Sequence, residues 1–311
     1  MTSKIDVTVP AEGGIQLAAW LYLPDGEGPH PAITMAHGYG GTRYHGVEIF
    51  AESFAAAGFV VLVHEHRSFG ASGGEPRQDI NPWQQIDDWR RIITYLESHP
   101  SVDPHRIGLW GTSYAGGHAI VLGAVDRRLK AVVAQVPTIS GYAQGLRRVP
   151  ADAVPALEEM LNEDERQQLR GEPPAYQALA SADPSIPAAY RSPDAIAFNM
   201  QPMPKGVWEN KVTLRSTRWA RMYEPGAWIS RVTPTPLLLV VAWEDKTTPT
   251  DLALAAYERA LEPKKLVMVP GGHYDLYLSE APASINAATD WFRTHLLSPS
   301  AKTYTPKHEK E

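Results

Sequence analysis

Two periods of apolar residues alternate along this chain. Positions 5–9 and 15–23 alternate apolar and polar side chains around Glu12-Gly13-Gly14, which predicts an opening β-hairpin. Short apolar, partly β-branched runs at 31–36, 59–65, 107–110, 129–136, 236–243 and 265–269 predict six more strands. Between them lie stretches of helical spacing, at about 46–57, 82–97 and directly after Ser113. In the second of these, Trp83, Ile86, Trp89, Ile93 and Leu96 recur on one face, so they are assigned to the core rather than to ligand contacts. Strands alternating with helices predict an α/β fold with a mostly parallel eight-stranded sheet flanked by helices.

The pattern breaks between Pro137 and Thr233. Prolines at 150, 155, 173, 174, 184, 187, 193, 202 and 204 cut this stretch into short pieces. Helical fragments are expected at about 153–161, at 163–169 behind the capping pair Asn162 and Glu165, and after Ser192-Pro193-Asp194. The expected division is therefore a core of residues 1–137 and 234–297, a helical cap of 138–233 inserted after the sixth strand, and a polar, mobile tail of 298–311. Among the apolar residues of the insertion, Trp219 and Met222 are the candidates for contact with a substrate, while Phe198, Met200, Met203, Trp208 and Trp228 are expected chiefly to pack.

The candidate chemistry sits just past the ends of predicted strands, where an open α/β sheet gathers its active site. The run Gly111-Thr-Ser113-Tyr-Ala115-Gly116-Gly117 reads as a sharp strand-to-helix turn exposing a serine. A hydroxyl is a weak nucleophile at neutral pH, so Ser113 needs a neighbouring base. His273, after Pro270-Gly-Gly, fits that role as the acceptor and later donor of the proton. Asp245 would orient the imidazole and stabilise its charged form, with Glu244 and Asp251 as rivals. The glycines of His37-Gly38-Tyr39-Gly40-Gly41 let backbone amides turn inward, and the amides of Tyr39 and Tyr114 are the expected oxyanion donors.

These motifs resemble those of the α/β-hydrolases over nearly the whole chain. The run His66-Arg67-Ser-Phe-Gly70-Ala-Ser72-Gly73 resembles the loop after the fourth strand of that superfamily. Residues 79–89, Asp-Ile-Asn-Pro-Trp-Gln-Gln-Ile-Asp-Asp-Trp, resemble a helix of its dienelactone-hydrolase-like and X-Pro-dipeptidyl-peptidase-like branch. The resemblance implies the order Ser, Asp, His for the triad. Ala115 departs from the family pattern, which has a second glycine there.

Composition then limits the alternatives. The chain has 311 residues, 43% of them hydrophobic, and a formal charge of -6 that offers no basic patch for nucleic acid. With no cysteine there is no disulfide framework and no thiolate metal site. The start of the chain lacks an apolar signal region and no run approaches the ~18 apolar residues of a membrane span, so a cytoplasmic location is the expectation. No metal or cofactor is expected. His64 and His66 share a strand face without a third ligand, and His118 is read as a packed helix residue. The reading is a serine hydrolase acting on an ester, thioester or related acyl bond of a small molecule. An acyltransferase or polyketide thioesterase, a dipeptidyl peptidase and a non-enzymatic ligand receptor stay open, as does the oligomeric state, a homodimer included.

Overall fold

A computed structural model describes residues 2–297. The segment 298–311, expected to be a mobile tail, lies outside the described residues. In chain order the elements are β1 (Ser3–Pro10), β2 (Gln16–Leu23), β3 (His30–Ala36), α1 (Glu48–Ala56), β4 (Val60–His64), α2 (Pro82–Glu97), β5 (Val102–Thr112), α3 (Tyr114–Val125) and β6 (Leu129–Gln135). Then follow α4 (Gly141–Arg148), α5 (Val154–Leu169), β7 (Tyr176–Ala180), β8 (Ala188–Tyr190), α6 (Pro193–Asn199), β9 (Val212–Thr213) and α7 (Arg215–Met222). The chain returns to the core with β10 (Leu237–Ala242), α8 (Thr250–Arg259), β11 (Lys264–Val269) and α9 (Ala281–Phe292).

The eight-stranded sheet has the order β1-β2-β4-β3-β5-β6-β10-β11. The first two strands pair antiparallel, as does β2 with β4, and the remaining neighbours are parallel. A parallel pair needs a crossover, and helices supply it, covering both faces of the sheet. That is why β4 and β10 read as unbroken apolar runs: every residue in them is buried. Successive residues of β10 serve opposite layers of core, Leu237, Leu239 and Val241 on one side and Leu238, Val240 and Ala242 on the other.

The helix α2 starts where its sequence says, with Pro82 in the first turn and the Asn81 side chain accepting the amides of Trp83 and Gln84. Ile86, Trp89, Ile93 and Leu96 are buried as expected. Trp83 is not: it is 45% exposed, because the first turn of the helix projects past the sheet and leaves the indole edge-on to Tyr223.

Residues 137–233 depart further from the expectation. The two helical fragments predicted on either side of Asn162 form one continuous α5, since no glycine or proline interrupts the chain between Pro155 and Leu169. Beyond the helices the insertion carries a small sheet of order β8-β7-β9. Its strands have 5, 3 and 2 residues, too few to display a period in the sequence. The insertion is fastened to the core at the loop before α2. Arg215 grips Asp79 with two hydrogen bonds of 2.8 Å, the Thr213 hydroxyl donates to the same carboxylate, and the Ser216 hydroxyl accepts the Ile80 amide at 2.9 Å.

Candidate active site

Ser113 joins β5 to α3 with φ 56° and ψ -118°, a conformation that L-residues rarely adopt and that costs about 1–3 kcal/mol. Hydrogen bonds on either side hold it there. The Ser113 amide donates to the Gln135 carbonyl at 2.9 Å, and the Ser113 carbonyl accepts the Thr138 amide at 2.9 Å. The helix and the neighbouring strands pass so closely that side chains are excluded. A Cβ at Gly111 would lie 2.2 Å from the Ala115 carbonyl oxygen, one at Gly116 2.9 Å from the Pro137 Cα, and one at Gly117 3.0 Å from the Thr138 carbonyl oxygen. Ala115, the departure from the family pattern, is buried without difficulty because the tight approaches fall on the two glycines behind it.

The three distant residues of the sequence argument meet at this point. His273 Nε2 lies 3.1 Å from Ser113 Oγ and its Nδ1 lies 2.7 Å from Asp245 Oδ2. All three are buried. The rivals for the acid position are elsewhere: Glu244 is exposed on the loop, and Asp251 pairs with Arg147. Asp245 is itself held, through Oδ1 by the amides of Thr247 and Thr248 at 2.8 and 2.7 Å, and through Oδ2 by the Thr248 hydroxyl at 2.8 Å. Thr248 was not singled out in the sequence. The signal was there, an Asp followed at the second and third positions by Thr-Thr, the spacing at which a carboxylate folds back on its own backbone.

The loop after β3 closes the site from the other side. A Cβ at Gly38 would lie 2.9 Å from the Ser113 Cβ, so this loop runs directly against the serine, with Tyr39 the next residue along it. Tyr114 is the first residue of α3, whose opening amides have no partner inside the helix. The insertion pins the same loop: the Trp208 indole donates to the Gly40 carbonyl at 2.8 Å, and Leu179 rests where a side chain at position 40 would be.

Beneath the loop lies a cluster of buried histidines. The His37 ring accepts the His66 amide at 3.3 Å and donates to the Gly38 carbonyl, while His66 packs edge-on to His37, His64 and His118. His118 is a packed helix residue, fixed between Tyr223 and Gln85. Burial lowers His37 to about 4, lowers His45, His64 and His118 to about 3, and drives His66 well below its ordinary value. Burial likewise pushes the phenols of Tyr39, Tyr114, Tyr190, Tyr274 and Tyr277 up, so these rings are uncharged at neutral pH.

Two cavities open on Ser113. The larger, about 310 Å³, runs between the core and the insertion past Tyr39, Tyr114, Tyr190 and Leu157. The smaller, about 30 Å³, also touches His273, His45, Phe198 and Tyr274. Of the two candidates for substrate contact on α7, neither Trp219 nor Met222 lines the larger cavity. Thr217, Ala220 and Arg221 do, being spaced three and four apart on one helix face, whereas Trp219 and Met222 lie off that face and Met222 is exposed. Among the described residues no group of three or more His, Cys, Asp or Glu is placed to hold a metal ion, and no helix is long and apolar enough to cross a membrane.

Known proteins resemble the chain over most of its length. A family model described as X-Pro dipeptidyl-peptidase (S15 family) matches residues 13–275. The quorum-quenching protein AidA of Acinetobacter baumannii (strain MDR-ZJ06) is 35% identical over 270 residues, 86% of this chain and 87% of its own. The thiohydrolase apmlB of Arthrinium phaeospermum is 34% identical over 244 residues, 74% of this chain and 75% of its own. The polyketide transferase grgF of Penicillium sp is 28% identical over 302 residues, 94% of this chain and 97% of its own. The crystal structure of the α/β hydrolase GrgF from Penicillium sp. sh18 superposes with a TM-score of 0.81 at 27% identity, covering 95% of this chain and 99% of that one.

Two outcomes are expected from these contacts. Gly116→Ala forces a methyl against the backbone at Pro137 and lowers the unfolding free energy by roughly 2–3 kcal/mol in urea titrations, whereas Gly73→Ala, with nothing nearer than 3.6 Å, stays within about 1 kcal/mol. The histidine cluster makes the fold acid-sensitive. The unfolded chain binds protons near pH 6.5 that the folded chain refuses until about 4 or 3, so stability is full above 6.5 and is lost as the pH falls. Each histidine contributes a slope of about 1.4 kcal/mol per pH unit in that window. Urea midpoints at pH 7, 6 and 5 read the slope, and a flat profile would show that the rings are not held neutral.

Proposed function

The chain belongs to the X-Pro dipeptidyl-peptidase (S15) family of α/β-hydrolases, and on that footing we propose that it is a serine hydrolase of the carboxylesterase type, cleaving an ester or thioester of a small acyl substrate. The observation that carries the reading is the chain of contacts from Ser113 through His273 to Asp245, at 3.1 and 2.7 Å. Ser113 Oγ attacks the acyl carbonyl while His273 Nε2 takes its proton. The negative charge that develops on the carbonyl oxygen is met by the amides of Tyr39 and Tyr114. Collapse expels the alcohol or thiol, which takes the proton from His273 and leaves the acyl group on Ser113. Water, deprotonated by the same imidazole, then releases the acid. Asp245 keeps the His273 proton on Nδ1 throughout, and Thr248 with the Thr247 amide keeps Asp245 in place. The segment 138–233 acts as the cap that shapes the acyl pocket.

The family's name suggests peptidase activity, but a dipeptidyl peptidase must neutralise a free substrate amine. No Asp or Glu lines the larger cavity, and three arginines do. The relatives called thiohydrolase and polyketide transferase favour an acyl ester or thioester instead. An acyltransferase would use the same residues and differ only in the nucleophile of the second half-reaction. The compartment of about 30 Å³ beside His273 has room for a water next to the imidazole.

A fluorophosphonate is expected to label Ser113, and Ser113→Ala to lower kcat/KM for p-nitrophenyl esters by at least about a thousandfold without loss of fold. Undiminished turnover by the alanine variant would remove the mechanism. Adding methanol to the assay should divert only a minor share of acyl-enzyme to the methyl ester; a dominant ester product would instead favour the transferase.

A further inference from the structure

The charge of the larger cavity opposes the charge of the protein. The chain has 35 acidic and 29 basic residues, yet the cavity wall contains Arg148, Arg191 and Arg221 and no carboxylate. Arg148 differs sharply from its neighbour on α4. Arg147 bonds Asp251 twice at 2.6 Å, whereas Arg148 bonds the Thr247 carbonyl, at 3.2 Å, and engages Tyr190, with its guanidinium over the ring at 4.8 Å. Among the described residues no carboxylate lies within ion-pair distance of it.

Arg221 comes to the same wall from α7. Its chain lies against Gly145, where a Cβ would be 3.4 Å from the arginine Cγ and 3.7 Å from Nη1. Gly145 and Arg148 are three apart on α4, so Arg221 packs on the same stretch of that helix that presents Arg148. Arg221 Nη1 is buried with no hydrogen-bond partner, while Nη2 is 3.4 Å from Glu158. A buried donor without an acceptor is costly, and a guanidinium suits a planar anion that can take two hydrogen bonds at once.

We infer that the acyl part of the substrate ends in a carboxylate, received by Arg148 and Arg221 at the far wall of the cavity while the scissile carbonyl lies at Ser113. This rests on the acyl chemistry proposed for Ser113, and it makes the two arginines the determinants of specificity. The aromatic rings of Tyr39, Tyr114 and Tyr190 would cover the methylene chain between the two ends.

The test compares mono-p-nitrophenyl adipate with p-nitrophenyl hexanoate, esters of equal chain length that differ in the terminal charge. The wild type is expected to favour the adipate by about 10- to 100-fold in kcat/KM, the range of one charge-assisted pair. That ratio falls toward one in Arg148→Gln and Arg221→Gln and is kept in Arg147→Gln. A wild-type ratio at or below one, or a ratio unchanged in the Arg148→Gln/Arg221→Gln double variant, overturns the inference. A second readout needs no turnover: the Tm of Ser113→Ala should rise with adipic acid monoamide more than with hexanamide, and the difference should vanish when Arg148→Gln is added. Equal shifts with the two amides overturn the anion site. If neither ester is cleaved but the monoamide still binds selectively, the hydrolase reading falls and the anion site stands.

Discussion

The site depends on how closely β5, α3 and the chain leaving β6 can approach one another. Ser113 keeps its unfavourable backbone angles because the Gln135 carbonyl and the Thr138 amide grip it from both sides. That grip is available only if positions 111, 116 and 117 have no side chain. From the same packing follow the unbonded amide of Tyr114 at the helix start and the seat against which Gly38 presses its loop. A strained serine and a seat for the loop after β3 are thus consequences of one tight junction.

The junction was legible before any coordinates, since a short apolar strand, closely spaced glycines and a serine between them have few other uses. Central strands such as β4 and β10 were legible because they are buried, largely apolar runs between loops, and the opening hairpin was legible from its alternation. Of the three carboxylates weighed for the acid, the structure puts Asp245 against His273, Asp251 against Arg147 and Glu244 on the exposed loop. Other features left no local trace. The three short strands of the insertion have no period to read, and their pairing is settled by contact with distant chain. Trp219 and Met222 attracted notice because large apolar residues want burial, but helical phase turns Thr217 and Arg221, not them, toward the cavity. Thr248 was overlooked because its role is to hold a carboxylate, and the sequence displays the acid more plainly than what supports it.

The environment around Ser113 separates two kinds of polar group. Below it, histidines and tyrosines are buried and neutral around the contact between His273 and Asp245. Above it, in the insertion, guanidiniums face an open volume with few acceptors. On the proposed mechanism the lower side suits proton transfer and the upper side selection among acyl groups.

One contact ties those sides together. The indole of Trp208 holds the Gly40 carbonyl, and Leu179 fills the space beside that glycine. An outward swing of the insertion that breaks this bond also frees the turn carrying the Tyr39 amide. On the proposed mechanism, the shape of the acyl pocket and the placement of the Tyr39 amide are thereby coupled through a single indole.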